Sequence, residues 1–567
     1  MKRLYKILSL ALVCSSVFFY SCETLELDLT EDPNALTPGQ ADVNFYLNSV
    51  QEDFVRQLDG DAQTSEDNFA TGGFQNGDGF NDFGQMLVRL YAYQSRDYAS
   101  GIQPGDGDDE WLNAYAGMLI DIKAMNVLAE EADLTHHVAM GQFFQAYTLV
   151  VLADFFGDIP VTEALQGAEN LNPNLEPGSL AYDTAFGLLD QAIANFQAEA
   201  AADPTYDLFY NGDWDLWIKA CNTLKMKMWL QLRLIDSGAK ASFDAIVASG
   251  EYIQDSSEDF QYNWPATSAA QPDTRHPRYG LNYQAAGAND YMSTWLMNLM
   301  DTRNDPRKRY YFYRQTDAVP GSNDAPPNEE TLNCSLQTAP VHYDGYTFCW
   351  LDNGYWGRDH GDDEGIPPDG LLRTTFGVYP AGGRFDDNRF SAISATTGGQ
   401  GAGVTPILTA MWVDFYKAEF AMASGDMAGA RDFMIDGSRK SIAKVQPYAA
   451  LDTDADLDFE PTESQVDDWL TDLASAFDAA DMGGKWDVVS EAFWVACFGN
   501  GVEPYNWYRR TGYPTTLQPN REPDPGVFQR SLWVPQNVVN RNANVSQKPD
   551  QAQPVFWDTN PTAPVAN

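Results

Sequence analysis

The segment Val138–Leu165 constrains this chain most, because its sequence VAMGQFFQAYTLVVLADFFGDIPVTEAL predicts one long buried helix with a sharp end. Large apolar side chains recur in it at helical spacing, and small residues between them allow a second helix to approach closely. Gly157 can end the helix in a left-handed conformation, and Pro160 prevents its continuation. We therefore predict a core helix that ends at Gly157.

Other apolar stripes at helical spacing predict further helices, which occur in pairs along the chain. These stripes lie near 43–58, 111–125, 182–196, 217–232, 407–422 and 486–497. The passage between about 250 and 405 has little periodicity and many Gly, Pro and Asp residues. Helix pairs without strand alternation indicate a mainly α fold with tetratricopeptide-like hairpins, although no repeat of about 34 residues is legible.

The composition bounds both the size of the core and the class of partner. With 567 residues, 44% of them hydrophobic, the chain can bury a large core. Its formal net charge of -46 repels nucleic acid and anionic lipid headgroups. We therefore expect no nucleic-acid partner.

The N-terminus has the pattern of an export signal. Lys2, Arg3 and Lys6 precede the mostly apolar run 7–20, which is too short to span a bilayer, and a small residue precedes Cys22. We predict a lipoprotein signal peptide at 1–21, a lipidated Cys22 whose acyl chains hold the protein to the membrane, and a polar tether at 22–42. Ordinary secretion with cleavage elsewhere is the alternative.

The remaining cysteines show no zinc-binding spacing. Cys334 and Cys349 lie in a Pro/Asn/Gly-rich region of an exported chain, where a disulfide and two free thiols are both open. Cys221 and Cys497 lie on apolar helical stripes and are expected to be buried thiols.

Two acidic loops raise the possibility of a structural calcium ion, the one cofactor that we consider. Asp452, Asp454, Asp456 and Glu463 follow the carboxylate spacing of an EF-hand loop, but Leu457 replaces its turn glycine. The second loop contains Asp359, Asp362, Asp363 and Glu364. A solvated acidic loop is the alternative in both places.

Several motifs resemble the SusD/RagB-like outer-membrane lipoprotein family. The run FQAY at 144–147 followed by FFGDIP at 155–160 resembles its signature helix, although the family has Arg where this chain has Gln145. WGRDHG at 356–361, VYPAGG at 378–383 and WYRRTGYP at 507–514 resemble its second, starch-binding-associated subfamily. From the residues themselves, we expect Arg509 and Arg510 to pair with carboxylates and hold the C-terminal part against the helices.

The resemblance implies a single SusD-like domain over 43–567. Its helix-pair scaffold would comprise about 43–250 and 405–515, and a loop-rich insertion at about 250–405 would face the ligand. A SusD-like protein is lipid-anchored and surface-exposed at the outer membrane, where it captures oligosaccharides and delivers them to a SusC-like TonB-dependent transporter. Peptide cargo is an alternative within the same role.

No catalytic constellation is legible, so we expect a binding protein rather than an enzyme and name no catalytic residue. The HExxH, GxSxG, P-loop and Rossmann patterns do not occur in their required contexts. Two alternatives from other classes are a secreted glycan-active hydrolase that uses a carboxylate pair and a helical-repeat protein-interaction module.

A glycan site needs exposed aromatic rings among polar side chains, because sugar C–H faces lie on aromatic planes while the hydroxyls form hydrogen bonds. Residues 343–358 provide this mixture. The predicted ligand-binding residues are Trp350, Tyr355, Trp356, Tyr346, Arg358 and Asp352, with Phe80 and Tyr93 from an earlier aromatic loop. The alternative is that Trp350 and Trp356 only anchor a long loop to the scaffold.

Overall fold

The computed structural model describes residues 42–60, 79–268, 273–284, 287–320, 322, 333–364 and 373–560. The signal peptide, Cys22 and the tether up to residue 41 lie outside the described residues. Asp42, at the end of the predicted tether, caps the first helix, since its carboxylate accepts a hydrogen bond from the Asn44 amide at 2.9 Å.

The first part of the chain is helical. Its helices are α1 Val43–Asp59, α2 Phe80–Leu87, α3 Tyr98–Gly101, α4 Asp108–Leu112, α5 Leu119–Glu131, α6 Thr135–Phe156, α7 Gly178–Gln197, α8 Trp214–Gln231 and α9 Ala239–Ser249. A π-helical segment, Asn113–Met118, joins α4 to α5. The helix α6 packs against both α5 and α7, and α7 also packs against α8.

The middle of the chain has short elements between long connections. They are α10 Pro277–Asn282, α11 Thr294–Thr302, α12 Lys308–Tyr311, β1 Phe260–Asn263, β2 Phe312–Tyr313, β3 Trp350–Leu351, β4 Tyr355–Trp356, β5 Thr375–Phe376 and β6 Val404–Leu408. The strands form three antiparallel pairs: β1 with β6, β2 with β5 and β3 with β4.

The last part of the chain returns to helices. They are α13 Ala410–Ser424, α14 Met427–Val445, α15 Glu463–Ala479, α16 Met482–Ala496, α17 Val502–Thr511 and α18 Gln536–Arg541. The helix α14 packs against α13, α15 and α16, and α17 packs against α2 from the other end of the chain. The predicted mainly α class is confirmed.

The helix α6 confirms the predicted core helix and its end. Gly157 caps it with a φ of 84°, and nearly every side chain along it is buried. By length and composition alone α6 could cross a membrane, but 94% of its most apolar stretch is buried inside the protein, as in a core helix. A second glycine, Gly425 with a φ of 82°, ends α13, and Asp426 begins α14. Ile407 lies in β6 rather than in α13, because Thr409 caps that helix.

The pairing of β1 with β6 brings the two ends of the loop-rich passage together. Phe260 lies opposite Leu408, and Asn263 lies opposite Val404. The strand β6 is fully buried along its five residues. The passage 264–403 therefore begins and ends at neighbouring positions on this strand pair.

A buried carboxylate joins the helices to the C-terminal part. Asp154 of α6 is fully buried and accepts hydrogen bonds from four side chains. The donors are the Tyr182 hydroxyl at 2.6 Å, the Trp557 indole at 2.8 Å, the Asn506 amide at 2.8 Å and the Gln231 amide at 3.4 Å. They belong to α7, the C-terminal segment, α17 and α8, so one carboxylate fixes four segments.

The two arginines of α17 fasten it in different ways. Arg510 pairs with the fully buried Glu419 of α13 at 2.6 Å, as expected, and Arg233 bonds the same carboxylate at 2.5 Å. Burial tends to raise the pKa of Glu419, but these two guanidinium groups outweigh it and hold the pKa below its usual range. Arg509 instead donates to the carbonyls of Asp154 at 2.6 Å and Arg530 at 2.8 Å.

The substitution Glu419→Gln should destabilise the protein strongly, because it leaves two guanidinium groups buried against an uncharged amide. We expect a loss of about 3–5 kcal/mol in the free energy of unfolding, measured by urea denaturation. Asp190→Asn is the matched control, because it breaks the ion pair between Asp190 and Lys225 in which the aspartate side chain is 66% exposed. This substitution should lower the free energy of unfolding by less than about 1 kcal/mol. Equal losses in the two variants would contradict the role of the buried pair.

Candidate ligand-binding surface

The centre of the predicted site is a small hairpin. Strands β3 and β4 pair so that Trp350 lies opposite Trp356, and Asp352, Asn353 and Gly354 form the turn. The turn requires positive φ at Asn353 (62°) and Gly354 (83°). A Cβ atom at Gly354 would lie 1.8 Å from the Thr316 carbonyl oxygen, so this position requires glycine.

A disulfide closes the loop that leads into this hairpin. Cys334 and Cys349 are bonded, with their Cα atoms 5.7 Å apart, which confirms the first of the two alternatives. Cys221 and Cys497 are buried free thiols, as expected. The disulfide restricts the conformations available to residues 335–348.

The same loop is hydrogen-bonded to a segment that follows α17, which we call the closing segment (517–521). The Tyr343 hydroxyl donates to the Pro519 carbonyl at 3.0 Å, and an imidazole nitrogen of His342 lies 2.9 Å from the Asn520 carbonyl. The Gln518 amide donates to the Thr347 carbonyl at 2.9 Å. The disulfide thus restrains the loop internally, and the closing segment restrains it through hydrogen bonds from the C-terminal part of the chain.

Asp359 is the buried group beneath this arrangement. Its carboxylate accepts from the Cys349 backbone amide at 2.7 Å and from the Gln518 side-chain amide at 2.6 Å. Burial raises the pKa of Asp359 to about 7, and the two hydrogen bonds oppose that rise only in part. Asp359 therefore links the disulfide, the hairpin and the closing segment at one point.

Three of the predicted ligand-binding residues reach the surface. Trp350 and Tyr346 are half-buried, and Asp352 is exposed at the hairpin turn. Trp350 packs one side against a small buried cluster that includes Trp356 and the disulfide. This leaves part of each ring available to a ligand.

Three other predicted residues of the hairpin region are inaccessible, and the structure corrects their assignment. Trp356 is fully buried and donates from its indole to the Ala318 carbonyl at 2.8 Å, so it anchors the loop, as the alternative proposed. Tyr355 is buried with the cations of Lys308 and Arg314 over its ring at 4.9 and 4.7 Å. Arg358 is buried with its guanidinium 4.1 Å from the ring centre of Tyr291.

Phe80 and Tyr93 are corrected for the same reason. Phe80 begins α2 and packs against Phe155 of the core helix, with ring centres 4.7 Å apart. Tyr93 is buried and stacks on His360 at 5.1 Å. Both rings are occupied by protein partners and present no face to a ligand. The earlier part of their predicted aromatic loop, residues 61–78, lies outside the described residues.

Sequence reasoning missed Phe348. It is half-buried, and it packs against the same small cluster as Trp350. With Tyr346 and Trp350 it makes three half-buried aromatic residues within a short stretch of the chain, and we call these three residues the aromatic surface. Asp344, Asp352 and Asn353, which flank them in the sequence, have exposed side chains.

The EF-hand-like spacing does not assemble a metal site. Asp452 is buried and pairs with Arg389 at 2.7 Å, whereas Asp456 caps a short helical turn and Glu463 begins α15. In the second loop, Asp362 pairs with Arg521. Across the part of the chain that the structure describes, no three His, Cys, Asp or Glu side chains are placed to hold a metal ion together.

Asp359→Asn should remove a pH-dependent part of the stability. The folded pKa of about 7 lies above the usual aspartate value of 3.8, so the stabilising contribution of Asp359 is full below about pH 4 and is lost as the pH rises to 7. We expect the wild-type minus variant difference in free energy of unfolding to fall over this range by up to about 4 kcal/mol, measured by urea denaturation. A difference that stays constant between pH 4 and 7 would refute the assignment.

Comparison with known proteins finds one family that this sequence resembles. Residues 62–325 match the SusD-like family described as "Starch-binding associating with outer membrane". No curated protein matches the sequence.

Solved structures share the fold over nearly the whole chain. A structure named as a chitin-binding protein has a TM-score of 0.62 at 18% identity, covering 92% of this chain and 100% of its own. A SusD/RagB family protein from Bacteroides thetaiotaomicron has a TM-score of 0.63 at 15% identity, covering 92% and 99%. A SusD homologue from Bacteroides fragilis has a TM-score of 0.60 at 18% identity, covering 88% and 94%.

The motifs that resemble SusD/RagB-like proteins, the matched family and the shared fold agree. Residues 62–325 therefore resemble the SusD-like family in sequence, and the chain shares the fold of a solved SusD/RagB family structure over 92% of its length.

Proposed function

We propose that this protein is a cell-surface lipoprotein that captures oligosaccharides on the aromatic surface and passes them to a SusC-like TonB-dependent transporter. It acts by binding and not by catalysis. The observation that carries the proposal is the aromatic surface itself: three part-exposed aromatic residues that are flanked in the sequence by exposed carboxylates and an amide. Apolar sugar faces stack on such rings while the hydroxyls bond to the polar groups.

The rigidity of the aromatic surface supports a binding role. The disulfide, the hydrogen bond to Asp359 and the hydrogen bond to the closing segment each restrain its backbone. A surface that is ordered before the ligand arrives loses less conformational entropy on binding, and more of the contact energy then appears as affinity.

The relatives support a glycan rather than a peptide as cargo. The matched family is described as starch-binding, and one protein of the same fold is named as chitin-binding. Both polymers consist of hexose rings with apolar faces. Peptide cargo remains the second outcome of the binding test below.

The membrane and transporter parts of the proposal come from the N-terminus and the family. The matched family is described as associating with the outer membrane, and Cys22 follows the predicted export signal. Lipid on Cys22 would hold the protein at the membrane by acyl chains, with the tether spacing the domain from it. The helical scaffold would then face the transporter, and the loop-rich part would meet the ligand.

Trp350→Ala should weaken glycan binding about tenfold, because the largest ring of the aromatic surface is lost. A tenfold change corresponds to about 1.4 kcal/mol of binding free energy. The measurement is isothermal titration calorimetry of the mature chain, residues 23–567, with maltoheptaose and hexa-N-acetylchitohexaose, with product analysis of the same samples.

Trp229→Ala is the matched control, since Trp229 is a half-buried tryptophan of α8 that stacks on Phe186 of the scaffold at 4.4 Å. It should leave glycan affinity unchanged within about twofold. Equal loss in both variants, or undiminished binding in Trp350→Ala, would move the site away from the aromatic surface. Cleaved glycans would replace capture by hydrolysis, and binding of a peptide library alone would replace the cargo.

A further inference from the structure

We propose that Arg384 binds a carboxylate of the ligand, and that the protein therefore prefers glycans that carry uronate sugars over neutral glycans. This inference rests on the proposed function and names the substrate class of the cargo. The observation behind it is a buried guanidinium group to which the described part of the chain supplies no carboxylate.

The side chain of Arg384 is held only by hydroxyl groups and an aromatic ring. The residue is 8% exposed. Its Nη1 donates to the Tyr313 hydroxyl at 3.0 Å and to the Ser391 hydroxyl, and its guanidinium carbon lies 5.5 Å from the ring centre of Tyr313. Its Nε is buried and has no hydrogen-bond acceptor among the residues that the structure describes. A buried guanidinium group is costly unless its charge is compensated, and hydroxyl groups compensate it only in part.

The edge of the guanidinium group that these hydroxyls do not use is the one that suits a carboxylate. Nε and Nη2 of an arginine lie on one edge, where a carboxylate can accept two parallel hydrogen bonds. The nearby Arg314 shows this arrangement, because its Nε and Nη2 donate to Asp386 at 2.6 and 3.0 Å. At Arg384 both hydroxyls bind at Nη1 instead. The same edge of Arg384 is therefore available to a carboxylate that the ligand brings.

The carboxylates that follow Arg384 in the sequence are bonded to other arginines. Asp387 pairs with Arg389 at 2.8 Å. Asp452 pairs with the same arginine at 2.7 Å and also accepts from the Phe385 backbone amide at 3.0 Å. These carboxylates are thus compensated by Arg389, and their charges are not assigned to Arg384.

Arg314 also connects this site to the hairpin of the candidate surface. It donates from Nη1 to the Asn353 carbonyl at 2.8 Å, and its guanidinium carbon lies 5.0 Å from the ring centre of Phe390. Phe390 and Ser391 are half-buried, so the segment that contacts Arg384 reaches the surface of the protein. A carboxylate-binding site at Arg384 would therefore adjoin the turn of the hairpin.

The contact with Arg384 differs in range from the effect of the whole charge. The formal net charge of -46 repels an anionic glycan at long range. At physiological ionic strength, exposed charges farther apart than about 8 Å are largely screened, whereas a partly buried pair is screened much less. We therefore expect the local contact to decide the preference in physiological salt.

The test compares hexagalacturonate with its fully methyl-esterified form, which is neutral, by isothermal titration calorimetry of residues 23–567. The titrations are made in about 150 mM NaCl at about pH 7, where uronates are ionised. We expect the acid to bind at least about tenfold more tightly than the ester, since one charge-assisted hydrogen bond supplies about that ratio.

Arg384→Gln should bring the ratio of acid to ester affinity close to one. Arg384→Lys keeps the charge but not the paired donors, and it should lower the ratio by a smaller factor. The lysine variant also keeps the test decisive if the glutamine variant does not fold. An unchanged ratio in either folded variant would overturn the inference.

Arg439→Gln is the matched control, because it removes the same charge from an arginine of α14 whose side chain is 52% exposed. It should leave the ratio of acid to ester affinity unchanged. A ratio lost equally in Arg384→Gln and Arg439→Gln would assign the preference to the total charge and overturn the local site.

The outcomes separate this inference from the proposed function. Binding of the ester as tight as that of the acid, or binding of maltoheptaose alone, would overturn the inference and leave glycan capture intact. Binding of hexaglutamate without any glycan would assign the carboxylate site to peptide cargo and overturn the uronate assignment. Failure of every glycan, neutral or acidic, would overturn both.

Discussion

The carboxylate of Asp154 is the constraint on which the rest of the molecule depends. A buried carboxyl group is tolerated only when hydrogen-bond donors replace its lost hydration, and here four side chains do so. These donors come from helices on both sides of the loop-rich passage and from the C-terminal segment. All four donors are present at the buried carboxylate only when the C-terminal segment, which supplies Trp557, is in place.

This dependence extends to the candidate ligand-binding surface. The helix α17 is fixed by Asn506 on Asp154 and by Arg510 on Glu419, and the closing segment follows it directly. The closing segment in turn holds the loop before the hairpin through Gln518. Contacts between residues far apart in sequence thus connect the buried polar groups of the scaffold to the loop that precedes Trp350.

The helices could be predicted because their signals are local. Gly157 ends α6 where the sequence predicts, and the apolar stripes mark the buried faces of the helices. The exposure of the aromatic residues could not be predicted in this way. Trp350 and Trp356 are six residues apart and opposite each other in the hairpin, yet only Trp356 is fully buried, donating to the Ala318 carbonyl. Which ring is buried is decided by segments far away in sequence, and no spacing rule reports it.

The disulfide and the arginine contacts also separate what local sequence predicts from what distant segments decide. Cys334 and Cys349 could be named as candidates from compartment and composition, but their pairing depends on a loop that Asp359 and Gln518 shape from outside. Arg510 pairs with a carboxylate, as predicted from its charge, whereas Arg509 donates to backbone carbonyls. Charge balance predicts that a buried arginine is satisfied, not which atoms satisfy it.

The pairing of β1 with β6 has a consequence for how such a protein can change over evolutionary time. Because the two strands hold the ends of the passage 264–403 side by side, an insertion at an exposed turn of this passage would not separate β1 from β6. Differences between relatives are therefore expected to collect at the exposed turns of the passage, while the residues that pack against the helices stay the same.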